Sequence, residues 1–209
     1  PALLCGFILF GQRTAGMSPS VPQSRAMPTL MALMPSLGRG GSEEHTLVVS
    51  SAAVRAGWAV HVGFPETSGT AALRAAFTAA GITTHRADFE ESFLEGRFRF
   101  HRHRRDFQNG MRTRRLLRAV RPDVTLISLP WFTNMFGSQR ALAASRCPTV
   151  IVFHAISPGS AVPAREQVHY AAFRRRQIWV AVSDYSRRLI ANALGAGLVC
   201  LSWPAHRRH

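Results

Sequence analysis

Lysine does not occur in this chain. All 26 strongly basic residues are arginine, set against 11 acidic residues, so the 209-residue sequence carries a formal charge of +15. Arginine suits phosphate groups, and the balance favours contact with phosphates or anionic lipid over acidic protein partners. A bias so uniform also follows from nucleotide composition, so it carries little weight alone. Cysteine is scarce: Cys5, Cys147 and Cys200 are far apart and form no C-x-x-C pair. Neither a disulfide framework nor a zinc site is indicated, which points to a reducing compartment. No apolar run nears the roughly 20 residues that span a bilayer. The apolar stretch at 2–10 lacks a preceding basic region, which argues against a secretory signal.

Hydrophobic residues make up 46% of the chain, enough for one sizeable core. The organising stretch is 29–49. There the apolar run Leu30-Met31-Ala32-Leu33-Met34 breaks at Pro35 into Gly38-Arg39-Gly40-Gly41, and Ser42-Glu43-Glu44 opens an alanine-rich segment. The pattern predicts strand, glycine loop and helix. Glycines permit positive φ and close ligand approach, and a helix N-terminus offers N–H groups to an anion, which makes the loop a candidate phosphate site. A tight structural turn explains the glycines equally well. The dinucleotide fingerprint requires a third glycine where Glu43 stands, which disfavours NAD or FAD and a nucleotide-dependent oxidoreductase.

Along the chain, residues 1–26 lack periodicity and read as a poorly ordered leader, with the folded part over 27–201 and a basic tail over 202–209. Predicted strands lie at 29–34, 58–64, 82–85, 124–129, 149–153, 177–182 and 198–201. Predicted helices lie at 42–56, 70–80, 111–120, 136–145 and 162–175, with a last helix through Leu194, and Gly57, Gly81 and Gly195 act as stops. Strands alternating with helices imply an α/β fold with a doubly wound parallel sheet. In such sheets ligands collect at the carboxyl ends of the strands. His154 ends the strand 149–153 and precedes Ala155-Ile156-Ser157-Pro158-Gly159, so chemistry is expected there. A lone histidine is more often structural, but this position favours function.

Between 97 and 121 the chain is strongly basic. A loop rich in Arg and His leads into a helix where Arg112, Arg114, Arg115 and Arg118 alternate with Leu116, Leu117 and Val120. A solvated helix face is the plain reading. The functional one is contact with anionic lipid through Arg112, Arg115 and Arg118, or with RNA phosphates. Phe98 and Phe100 are too few to form a base-reading surface, so no specific nucleic acid is expected. His101 and His103 lack the acids or cysteines that would complete a metal site, and no metal or cofactor is expected.

Four segments taken together, GRGGSEE (38–44), VRPDVTLIS (120–128), VIVFHA (150–155) and WVAVSDYSRRLIANALG (179–195), resemble the N-terminal domain of retaining glycosyltransferases of the GT-B type, family 4. The resemblance implies one Rossmann-like half of a GT-B fold: the acceptor-side domain of an enzyme transferring a hexosyl group, with retention, from a nucleotide-sugar donor to a sugar or lipid-linked acceptor. It implies that Gly40 and Gly41 approach the donor's phosphates and sugar, with Ser157 also in the substrate-binding loop. His154 is then the cleft histidine that contacts the sugar, and Ser183 a helix cap. It also implies a cytoplasmic protein, in solution or peripheral on the inner face of the membrane. The family's donor-binding domain has no counterpart here, so the sequence reads as truncated before it. The runner-up is a non-catalytic basic module that binds anionic membrane or RNA through 97–121.

Overall fold

The computed structural model describes residues 27–89, 99–131, 134–154, 162, 164–173, 175–194 and 201–202. Its elements are β1 (Thr29–Leu33), α1 (Gly41–Arg55), β2 (Ala59–Phe64), α2 (Ala71–Ala79), β3 (Thr83–Arg86), α3 (Arg99–Val120) and β4 (Val124–Leu129). After these come α4 (Phe136–Ala144), β5 (Thr149–Phe153), α5 (Ala164–Phe173), β6 (Gln177–Ala181), α6 (Asp184–Leu194) and β7 (Leu201–Ser202). All strand pairs are parallel, in the order β3-β2-β1-β4-β5-β6-β7. The order reverses between β1 and β4, where the outgoing loops diverge and open a crevice at the strand ends. The expected doubly wound α/β architecture is therefore present.

Side-chain alternation along the strands divides the core into two layers. Met31, Leu33, Ile127, Leu129, Ile151, Phe153 and Trp179 point to one face, where they pack with Leu116 and Leu117 of α3, Phe136 and Leu142 of α4, Tyr170 of α5 and Ile190 of α6. Leu30, Ala32, Val60, Val62, Leu126 and Val152 point to the other, against Val49 and Ala53 of α1 and Leu73 and Phe77 of α2. Asp123 of the VRPDV segment clamps the start of β1: its N–H donates to the Thr29 carbonyl (2.9 Å), and its carboxylate accepts from the Thr29 N–H (2.8 Å).

The largest departure from the sequence reading is α3. The expected basic loop leading to a helix at 111–120 is, from Arg99 onward, one 22-residue helix that runs through Gly110 without a break. Glycine weakens an isolated helix, but here the missing side chain lets α3 lie against α4. A Cβ on Gly110 would come within 3.1 Å of the Gly137 carbonyl oxygen. The other shifts are small. β3 starts one residue late, a 3₁₀ turn at Ser68–Thr70 precedes α2, and β7 is Leu201–Ser202, pairing Ala181 with Ser202. Residues 1–26, 195–200 and 203–209, on which the leader, most of the expected last strand and most of the tail fall, lie outside the described residues. No helix among the described residues is long and apolar enough to cross a membrane.

Candidate functional site

The loop from Met34 to Gly40 leaves β1 at the crevice. Gly40 is extended (φ −149°, ψ −169°) and caps α1 without any side-chain cap bond. Among the described glycines only Gly57 and Gly81, the two helix stops, have positive φ. The glycine loop therefore does not use the left-handed freedom expected of it. What distinguishes it is open space, because a Cβ built on Gly38 or Gly41 meets nothing within 4 Å. Its base is held from behind: a Cβ on Gly69 would come within 2.4 Å of the Leu37 carbonyl oxygen. Thr67 Oγ1 donates to that oxygen (3.4 Å), and Thr70, buried, donates its hydroxyl to the Pro65 carbonyl (2.9 Å). The turn after β2 thus buttresses the loop after β1.

Charge at the loop is locally balanced. Arg39 pairs with Glu44 in an exposed bridge, and this hydrogen bond lowers the Glu44 carboxyl and raises the Arg39 guanidinium from their ordinary values. Glu43 accepts a hydrogen bond from the Ser42 hydroxyl (2.8 Å) and lies over Gly40, where an added Cβ would be 3.0 Å from its Oε2. The unmet N–H groups of α1's first turn therefore sit beside a carboxylate, and an incoming anion would have to displace it.

His154 follows β5, and strand alternation carries it to the α1 side of the sheet with Val150 and Val152. Its N–H donates to the Leu129 carbonyl (3.0 Å), which fixes the chain at the ends of β4 and β5. Its ring meets that of His45 edge to face, with centroids 5.0 Å apart at 69°. His45 lies one helical turn beyond Gly41, so the glycine-loop helix and His154 share one edge of the crevice. Burial, with a smaller contribution from His45, pushes the His154 imidazole down to about 4; burial also lowers His45. Both rings are neutral near pH 7. His154 Nε2 is buried without a hydrogen-bond partner among the described residues. Beneath them Thr46 and Ser128 join α1 to the end of β4 through a 2.7 Å hydroxyl contact.

The other expected site residues are elsewhere. Ser157 lies outside the described residues. Arg112, Arg115 and Arg118 are on α3, which packs on the opposite face of the sheet from His154. Arg115 and Arg118 are exposed, whereas Arg112 is half-buried and donates to Asn109 Oδ1 (3.4 Å). Ser183 accepts the Ser186 N–H (3.1 Å), the cap geometry expected at the start of α6.

The family model for Glycosyltransferase Family 4 matches residues 39–198. The chain belongs to glycosyltransferase family 4. Among curated proteins none matches the sequence. Similar solved structures include a glycosyltransferase from Rickettsia africae ESF-5, at 14% identity and a TM-score of 0.62 over 83% of this chain and 41% of that one. Acinetobacter baumannii MurG matches at 12% identity and 0.52, over 83% and 44% of the two chains. A UDP-N-acetylglucosamine 2-epimerase from Rickettsia bellii matches at 15% and 0.51, over 84% and 44%. At these identities the likeness is one of fold. The family 4 chain spans less than half the length of each.

Within this family 4 fold, sequence reasoning passed over His45, Thr46, Ser128 and Gly69. A signal existed for His45, four residues after Gly41 and so on the same helix face. None existed for Gly69, whose role depends on its close approach to Leu37, in a loop that precedes it by a whole helix and strand.

Proposed function

We propose that this family 4 chain supplies the acceptor-side domain of a retaining glycosyltransferase that moves a hexosyl group from a nucleotide sugar to a sugar or lipid-linked acceptor. The observation that carries the reading is the contact between the His154 ring and His45, on the helix that the glycine loop opens. A neutral imidazole with one buried, unmet nitrogen suits a hydroxyl group of a sugar better than a phosphate, because it can give or take a single hydrogen bond without charge. The exposed Gly40–Gly41 backbone, open at Gly41 and covered at Gly40 by the Glu43 carboxylate that the donor would displace, suits close approach of the donor, where N–H groups stabilise charge that develops on the leaving diphosphate. Ser157, in the loop after His154, is assigned to the same substrate. The reading requires a donor-binding domain across the crevice.

Residues 27–201 form the acceptor-side unit in this reading, and the protein works on the cytoplasmic side of a membrane. Arg115 and Arg118 on α3 supply contact with anionic lipid, assisted by Phe100 and Phe107, which are 74% and 69% exposed. Large apolar side chains standing out of a basic helix are the composition of an interfacial membrane helix.

The test joins the chain to the donor-binding domain of an active family 4 glycosyltransferase and measures transfer from a panel of labelled nucleotide sugars into a lipid extract. In an active fusion, Gly41→Val and His154→Ala each reduce transfer at least a hundredfold while the far-UV spectrum is kept. Unchanged transfer in both variants refutes the assignment.

A further inference from the structure

On the face of the sheet opposite His154, α3 and α4 cross at two glycines. A Cβ on Gly137 would sit 1.7 Å from the Asp106 carbonyl oxygen, so the two backbones touch and hold one register. Beside the crossing a cavity of about 340 Å³ opens between the helices. Three guanidinium groups line it, Arg102 and Arg114 from α3 and Arg140 from α4, and Asp106 is the one carboxylate in the lining. Arg114 and Arg140 are exposed and make no hydrogen bond or close ion pair with the described residues. The Asp106 side chain is 18% exposed, and its Oδ1 lies 3.9 Å from Arg105 Nε. Burial raises this carboxyl against the pull of Arg105, Arg102, His103 and Arg140.

The lining therefore carries a cationic surplus on two helices that cannot slide. Arg114 and Arg140 present two exposed planar forks, each able to hold an oxyanion through two parallel hydrogen bonds. The volume lies at the lower end of small-molecule sites, well above the roughly 30 Å³ that one water occupies. Phe107 and Met111 give one wall an apolar flank.

We propose that the cavity between α3 and α4 binds the phosphate or diphosphate group of a ligand, held by Arg102, Arg114 and Arg140, with a short organic portion against Phe107 and Met111. The site is separate from the crevice at His154 and does not depend on the transfer reaction proposed for it.

The experiment titrates the 209-residue chain with inorganic pyrophosphate at low ionic strength and follows backbone amide shifts. Saturable shifts are expected in α3 and α4. Arg114→Gln with Arg140→Gln, both at exposed positions, should weaken binding at least tenfold, and Arg55→Gln on α1 should leave it unchanged. Asp106→Asn should tighten binding at least twofold by removing the competing charge. Dihexanoyl phosphatidic acid, kept below its micelle concentration, distinguishes the source. Tighter binding than pyrophosphate, with shifts at Phe107 and Met111, assigns the site to a lipid headgroup, and weaker binding at the same arginines assigns it to a soluble phosphate ligand. The proposal is overturned if pyrophosphate shifts only the Gly40–Gly41 region, if neither probe binds, or if the double arginine variant binds as the parent does.

Discussion

The rings of His45 and His154 meet edge to face, with centroids 5.0 Å apart, and each ring is held below its ordinary value by burial. Neither residue could take a proton without placing charge beside the other in a poorly solvated site. The pair joins two segments more than 100 residues apart in sequence and keeps both uncharged where the crevice opens.

A pH dependence of stability follows. The unfolded chain protonates His154 at about its ordinary 6.5, the folded chain only at about 4. Between those values the unfolded state binds more protons, so stability falls as pH drops through this window and levels off below it. The loss from His154 is on the order of 3 kcal/mol, and His45 adds to it in the same direction. Urea unfolding at pH 7 and pH 4.5 measures the effect, and His154→Gln should flatten the profile. A His154 carbon resonance that titrates near 6.5 in the folded protein would contradict this account.

Thr46 and Ser128 should respond unequally to truncation. Thr46 Oγ1 donates to the Ser42 carbonyl (2.8 Å), so in its 2.7 Å contact with Ser128 it must be the acceptor. Ser128→Ala removes a donor and leaves Thr46's own proton satisfied, a cost of about 1 kcal/mol. Thr46→Val strands a buried Ser128 hydroxyl, while the Ser42 carbonyl keeps its helical N–H partner, a cost of about 2–3 kcal/mol. The double variant should recover part of that difference in a denaturant-based cycle. Equal single effects would reverse the donor assignment.

The helix crossing gives a graded pair of glycine substitutions. At Gly137 an added methyl meets backbone, the Asp106 carbonyl oxygen at 1.7 Å, whereas at Gly110 the closest atom is at 3.1 Å. Gly137→Ala is expected to cost about 3 kcal/mol or more, and Gly110→Ala about 1 kcal/mol, since alanine's helix propensity offsets part of its strain. Thermal unfolding of the two variants ranks them directly.

Vesicle co-sedimentation examines the exposed side of α3. Binding to anionic vesicles at low salt should exceed binding to neutral ones and fall as salt rises. Arg115→Gln with Arg118→Gln should weaken it severalfold, and Phe100→Ser with Phe107→Ser should weaken it at all salt concentrations, because apolar insertion is not screened. Arg112→Gln should have the smallest effect, since that side chain is half-buried against Asn109. Equal binding to neutral and anionic vesicles would remove the lipid assignment.

The sequence by itself determined the architecture. Runs such as Val124–Leu129 and Thr149–Phe153 are apolar on both alternating faces, as only a strand covered on two sides can be, and Gly57 and Gly81 end helices because they supply positive φ at no steric cost. The same alternation placed His154 at a strand end. The tertiary structure alone decided the contacts between segments distant in the chain. Local pattern read a basic loop before a helix at 111–120, but α3 is continuous from Arg99, and packing against Gly137 makes Gly110 a crossing point of α3 and α4. The glycine loop was expected to use left-handed backbone, and in the fold Gly40 is extended and Gly41 opens α1 onto empty space. The neutrality of His154 comes from the neighbours that exclude water from it, His45 among them, and desolvation is a property of the assembled site that no stretch of sequence carries.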